Sequence, residues 1–269
     1  MPRVSAVPMP DAQIRIPTDP PPGVGLYDLD GTLLAWDCQL LFRHFVSRRE
    51  PWRLLLLPVF LLAAPLAPWL GTDRMKRVFL SYLWRMPEER VAEHARGFAA
   101  EVLPSVYPEL LETIETQRRE GHFLILASAS PEIYVREIGA ALGFDISLGT
   151  PVRYGPLLPP LSNHKGPAKV ERLRKLLPPA WFDGDRISRC HGYTDSLADL
   201  PMLTLCDDAT VVNPSPQLET MAEKEGWRIV RPERPWKSRS DFALRSLALL
   251  CGIGSDPGGL RARSGKSPA

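Results

Sequence analysis

The sequence has few cysteines and no excess of charge of either sign. Four cysteines, Cys38, Cys190, Cys206 and Cys251, are scattered through 269 residues, with no two close together. That spacing excludes a zinc knuckle or a disulfide scaffold and suits a reducing compartment. Thirty-three basic residues against 31 acidic ones leave a net charge of +2, too little to argue for a nucleic-acid partner. The five histidines, His44, His94, His122, His164 and His191, show no ligand spacing. No charged-then-apolar segment opens the chain. Residues 1–22 are proline-rich and are expected to form a disordered leader without an export signal, which makes a cytoplasmic location the expectation. No internal repeat is present. What remains is an ordinary globular composition, 44% apolar, long enough for one large domain or two smaller ones.

One long apolar run does occur. From Leu54 to Leu70 no charge interrupts the chain, and none stands between Arg53 and Asp73. The run falls just short of the ~20 residues that span a bilayer. Pro58, Pro65 and Pro68 also break it, which argues against a single transmembrane helix. Two readings stay open: a buried helical hairpin, or an interfacial element that dips into lipid. Trp52 and Trp69 at its ends, with Arg48, Arg49, Arg53, Arg74, Lys76 and Arg77 around it, are what a membrane interface favours. The same basic residues also suit a solvated helix face.

Around this run, strands and helices alternate. A strand from Val24 precedes a turn. Helices are expected from about Asp37, then over Asp73–Trp84, Glu88–Val102 and Tyr107–Glu120. The apolar strand His122–Ala127 follows, then helix Glu132–Leu142, strand Asp145–Thr150, a hairpin over Val152–Pro160 and helix Pro167–Leu177. Ser188–Gly192 leads into a turn, helix Leu197–Leu203 comes next, and strands Ala209–Val212 and Trp227–Val230 close the pattern. Such alternation predicts an α/β fold, Rossmann-like, with a mainly parallel sheet and helices on both faces. Residues 23–36 and 105–232 would form the core. Residues 37–104 would be an all-helical cap inserted after the first strand, and 233–269 a basic, flexible tail.

Four polar sites fall at strand ends or helix starts, where such sheets bind ligands. The first is Asp28-Leu29-Asp30-Gly31-Thr32. Alternate residues of a strand share a face, so Asp28 and Asp30 leave the strand tip side by side. A carboxylate pair of this kind suits one nucleophile, one proton carrier and a hard cation. The others are Ser128 in Ala127-Ser128-Ala129-Ser130-Pro131, Lys169 after Gly166, and Asp195 with Asp199 in Gly192-Tyr193-Thr194-Asp195-Ser196-Leu197-Ala198-Asp199. Singly each has a plain structural reading: a turn, a helix cap, a solvated lysine, an Asx turn, a carboxylate facing a helix dipole. In this order and together they are hard to explain so.

The four motifs resemble those of the haloacid dehalogenase (HAD) superfamily, over about Val24 to Pro232. The Ser-Ala-Ser-Pro and Asp-Ser-x-x-Asp forms are most similar to the branch that includes phosphoserine phosphatase. The apolar cap segment resembles that of phosphatidylglycerophosphatase C-type lipid-phosphate phosphatases. The resemblance implies a phosphomonoester hydrolase working through an aspartyl-phosphate. Asp28 would be the nucleophile and Asp30 the proton carrier. Ser128 and Lys169 would bind the phosphoryl group, with Lys165 as the competing lysine. Mg²⁺ would sit on Asp28, Asp195 and the Asp30 main-chain carbonyl, and Asp199 would support the metal site or orient Lys169. The second aspartate, Asp30, argues for phosphate chemistry over dehalogenation. A lipid phosphate such as phosphatidylglycerophosphate is the expected substrate, met by peripheral membrane contact through residues 54–70. The alternatives are a soluble phosphate such as phosphoserine, with Asp37 nearest to the position of the amine-binding Glu of that branch, and a non-catalytic membrane-surface protein on the same scaffold.

Overall fold

A computed structural model describes residues 16–254. Its elements run β1 (Val24–Tyr27), α1 (Cys38–Arg49), α2 (Leu57–Ala63), α3 (Ala67–Phe79), α4 (Glu88–Val102), α5 (Pro108–Arg119), β2 (Phe123–Pro131), α6 (Glu132–Leu142), β3 (Ile146–Thr150) and α7 (Pro167–Leu176). Then follow β4 (Phe182–Asp183), β5 (Arg186–Ile187), β6 (Cys190–Thr194), α8 (Leu200–Leu203), β7 (Asp208–Val212), α9 (Pro216–Glu225), β8 (Arg228–Val230) and α10 (Arg239–Leu250). Six strands form one parallel sheet in the order β3-β2-β1-β6-β7-β8, and β4 and β5 pair as a small antiparallel hairpin. The mainly parallel α/β architecture with helices inserted after the first strand is as the pattern predicts.

β1 is central because all four of its residues are buried, the signature of a strand covered on both faces. Its neighbours lie to opposite sides in the chain order, so the strand order reverses at β1, and ligands bind at the carboxyl end of such a switch point. Tyr27 and Tyr193 stack across β1 and β6 with centroids 4.0 Å apart. Gln117 joins them, accepting from the Tyr27 hydroxyl at 2.7 Å and donating to that of Tyr193 at 3.0 Å, so the polar atoms buried under the site are paired.

The inserted helices are not a detached lobe. Phe42 and Phe45 of α1, Phe98 of α4 and Tyr134 of α6 belong to one apolar cluster that continues to Tyr27 and Leu124 in the sheet. What stands away from this cluster is α2 and the first part of α3, whereas Leu80, Tyr82 and Leu83 belong to it. Gly71, at φ +75°, breaks the helical path, and the chain returns so that Phe60 meets Phe79 edge to face at 5.2 Å. Arg53 locks the base, donating to the carbonyls of Tyr82 at 2.7 Å and Trp84 at 3.1 Å. Length and composition would let a helix over Pro51–Leu83 cross a membrane, but this chain folds back.

One open choice narrows and two expectations change. The apolar run is a helical hairpin but not a buried one: α2 and the turn after it contain no buried residue, and Leu55, Leu62 and Trp69 are each more than three-quarters exposed. Among the described residues no neighbouring element covers its outer side chains. Residues 239–250 are not a loose tail. Ser238 caps α10 by accepting from the Asp241 N–H, and Phe242 and Leu249 lie on one side of the helix, against Trp36 and α1; helical spacing outweighs the basic, turn-rich surroundings. Part of the expected leader is also anchored, because the Trp181 indole N–H lies within hydrogen-bond reach of the Pro17 and Asp19 carbonyls, at 3.2 and 3.1 Å. Residues 1–15 and 255–269, the rest of the leader and tail, lie outside the described residues. The helix α9, between β7 and β8, is an element the pattern did not place.

Candidate active site

The site is built where β1 ends. Asp28 follows the strand, and its N–H donates to the Tyr193 carbonyl at 3.0 Å, extending the β1–β6 ladder by one rung. The next turn needs Gly31, at φ +79°. A Cβ there would lie 2.1 Å from Asp195 Oδ2, so the Asp195 carboxylate packs directly against the turn that follows the two motif aspartates. Thr32 Oγ1 lies 3.4 Å from both Asp28 Oδ2 and Asp195 Oδ1, which fixes how near these two carboxylates stand.

Lys169 reaches the same point from the first turn of α7. Gly166, at φ +58°, precedes that helix, and a larger residue would be strained there. Lys169 Nζ lies 2.7 Å from Asp28 Oδ1 and 2.8 Å from Asp199 Oδ1, with all three side chains nearly buried. Thr194 donates to the other Asp199 oxygen at 3.1 Å. Asp199 therefore positions Lys169, one of the two roles foreseen for it. Lys165, the competing lysine, is exposed.

Asp30 faces away from this lysine. Its Oδ1 accepts from the Cys38 N–H at 2.6 Å, and its Oδ2 from Ser130 Oγ at 2.6 Å and Ser128 Oγ at 3.2 Å. Ser128, expected to hold phosphoryl oxygens, thus bonds Asp30 in this structure, and its hydroxyl must turn to take a phosphoryl oxygen. Ser130 was not among the expected site residues. The signal was there, since it stands two residues from Ser128 in a strand and so shares its face. Lys76 was missed as a site residue too: from α3 its Nζ donates to the Ala129 carbonyl at 2.8 Å and to Asn163 Oδ1 at 2.7 Å. No local signal links it to residues more than fifty positions away.

The charges are unbalanced. Burial pushes the Asp28 carboxyl well up; Lys169 opposes this, while Asp199, Asp195 and Asp30 add to it. Asp195 is pushed up to about 6 by burial and by the Asp199 and Asp30 carboxylates. Burial lowers Lys169, but Asp28 and Asp199 outweigh it and raise the ammonium overall. Carboxylates crowded in this way are destabilised as anions unless a cation joins them. Among the described residues no three His, Cys, Asp or Glu side chains converge as a ready-made cage. Two carboxylates beside a main-chain turn instead fit Mg²⁺, which takes few protein oxygens and keeps waters.

Fold and site together place the chain. It belongs to the haloacid dehalogenase-like hydrolases, whose family model matches residues 26–204. A morphological-differentiation inhibition protein of Streptomyces azureus is 28% identical over 230 residues, covering 80% of each chain. A probable phosphatase of Mycobacterium tuberculosis is 31% identical over 152 residues, 55% of this chain and 52% of that one, so the match spans about half that relative's length. Among solved structures, a Bordetella pertussis protein of unknown function superposes with a TM-score of 0.63 at 21% identity, covering 77% of this chain and 97% of that one. A phosphoserine phosphatase solved as a phospho-aspartyl intermediate analogue superposes with a TM-score of 0.51 at 19% identity, covering 83% and 97%.

Proposed function

We propose that the protein is a Mg²⁺-dependent phosphomonoester hydrolase that works through an aspartyl-phosphate and acts on a lipid phosphate, of which phosphatidylglycerophosphate is one. The observation that carries the chemistry is the Lys169 ammonium held between Asp28 and Asp199 at 2.7 and 2.8 Å. It fixes one Asp28 oxygen and leaves the other beside Thr32, which also lies 3.4 Å from Asp195.

In the first step Asp28 attacks phosphorus. An Asp28 O–P bond forms, the bond to the ester oxygen breaks, and Asp30 gives its proton to the departing alcohol. In the second, Asp30 takes a proton from water as that water attacks phosphorus. Phosphate leaves and Asp28 is restored. Lys169 and Ser128 bind the phosphoryl oxygens as charge shifts onto them. Asp28, Asp195 and the Asp30 carbonyl would hold Mg²⁺, which neutralises charge on the phosphoryl oxygens when bound.

The lipid reading rests on the exposed hairpin and its basic surroundings, which suit a peripheral position on an anionic cytoplasmic membrane face. A phosphoserine reading has less support. The Asp37 carboxylate caps α1, accepting from the Gln39 N–H at 2.7 Å and the Leu40 N–H at 3.2 Å, so it is occupied where an amine would need it.

The test is phosphate release from phosphatidylglycerophosphate in mixed micelles and, separately, from phosphoserine. Release from the lipid that needs Mg²⁺ and falls about 10³-fold or more in Asp28→Asn supports the proposal. Asp30→Asn should cost about 10²–10⁴-fold. Release from phosphoserine alone would overturn the lipid reading and keep the chemistry.

A further inference from the structure

A cavity of about 550 Å³ lies between α1, α3 and α10. Its walls are apolar: Leu40, Phe60 and Phe79 on one side, Leu247 and Leu250 of α10 on the other. Charge enters only where Asp37 and Lys76 line it. Both connect to the catalytic carboxylate. Lys76 Nζ donates to the carbonyl of Ala129, which stands between the two serines bonded to Asp30. Asp37 caps the helix whose first N–H, that of Cys38, donates to Asp30 at 2.6 Å. The polar end of the cavity is thus joined to Asp30 through Lys76 and Ala129 and through Asp37 and Cys38, which brings an apolar space near the residue proposed to protonate the leaving alcohol. A cavity of this size, with apolar walls and a few polar groups at one end, suits a ligand with an alkyl body and a polar head.

We infer that this cavity binds the alkyl chain of the substrate's alcohol portion, and that α10 supplies the wall that makes it a chain-binding site. The inference rests on the phosphomonoesterase reading and adds where the lipid lies. It gives α10, outside the residues the family model matches, a function in substrate choice. Leu244 and Leu247 of α10 are more than half exposed, as are Leu62 and Trp69 of the hairpin. Apolar surface thus continues on both elements that flank the cavity, as entry of a chain from a lipid surface requires.

The test uses the full chain and single-chain n-alkyl phosphates from butyl to decyl, each below its micelle-forming concentration, with Mg²⁺ present. Their phosphonates, which cannot be hydrolysed at the carbon–phosphorus bond, serve for calorimetric binding. The expected result is kcat/KM and phosphonate affinity that rise about fourfold per added methylene. Met75 also lines the cavity; Met75→Trp and Leu250→Trp, which narrow it, should flatten both series while leaving the far-ultraviolet circular dichroism spectrum unchanged. A flat series in the unmodified protein, or a steep one untouched by both variants, overturns the inference. Steep phosphonate binding with no turnover of any phosphate would keep the cavity assignment and sink the phosphatase reading instead.

Discussion

Gly31 carries more of the site than its lack of a side chain suggests. Its positive φ is one any larger residue resists, and its Cα side is closed by Asp195, 2.1 Å from where a Cβ would be. Gly31→Ala should displace the Asp195 carboxylate. The expected outcome is a folded protein whose Mg²⁺ affinity, read by calorimetry, drops at least tenfold. The raised Asp195 carboxyl has a pH consequence. Its folded value of about 6 lies above the ordinary 3.8, so the protonated form is favoured by folding. That contribution is fully present below about 3.8 and is lost as pH rises through about 6. Metal-free protein should therefore melt at lower temperature at pH 7 than at pH 5, and Mg²⁺ should restore most of the loss at pH 7. A metal-free melting temperature that rises from pH 5 to 7 would contradict this.

At the scale of elements, the hairpin and α10 are the parts whose surfaces are least explained by the core. The hairpin holds to the body by its base, where Glu50 accepts from Arg53 at 2.6 Å and pairs with His94 at 2.8 Å. Burial alone would raise Glu50, but His94, Arg53 and Arg90 carry it down to about 2. The tip makes no such bonds. Leu62→Asp with Trp69→Asp should therefore leave the melting temperature within about 1 °C and cut co-sedimentation with vesicles rich in anionic lipid at least fivefold. Unchanged sedimentation would detach the hairpin from the membrane. α10 is held chiefly by Trp36, which stacks on Phe242 at 5.4 Å, and by the contact with α1. Phe242→Ala should speed amide exchange over residues 239–250 well before the sheet responds, because local opening follows local contacts.

For the whole molecule, the arrangement is a sheet whose switch point gathers four distant motifs, with one apolar cluster running from the sheet into the inserted helices. The carboxylates of the site and the exposed apolar hairpin lie on different elements, so the hairpin substitutions should spare hydrolysis of a small phosphate while Asp28→Asn abolishes it.

Local pattern was enough for most of the strand–helix order, α9 excepted, since alternation of apolar runs and capped helices is written in neighbouring residues. The DxDGT turn, Lys169 and Asp195 were legible as well, because strand parity and helix starts fix where such side chains emerge. Three things were decided only by tertiary structure. The 54–70 run turned out exposed, because an apolar sequence does not record which neighbours cover it. Lys76 joined the site through contacts with Ala129 and Asn163 that no sequence spacing encodes, and the Ser130 bond to Asp30 joins two motifs a hundred residues apart. Residues 239–250 became a wall of the cavity because a helix's partner is set by the shape left open beside Trp36 and α1, which exists only once the chain has folded.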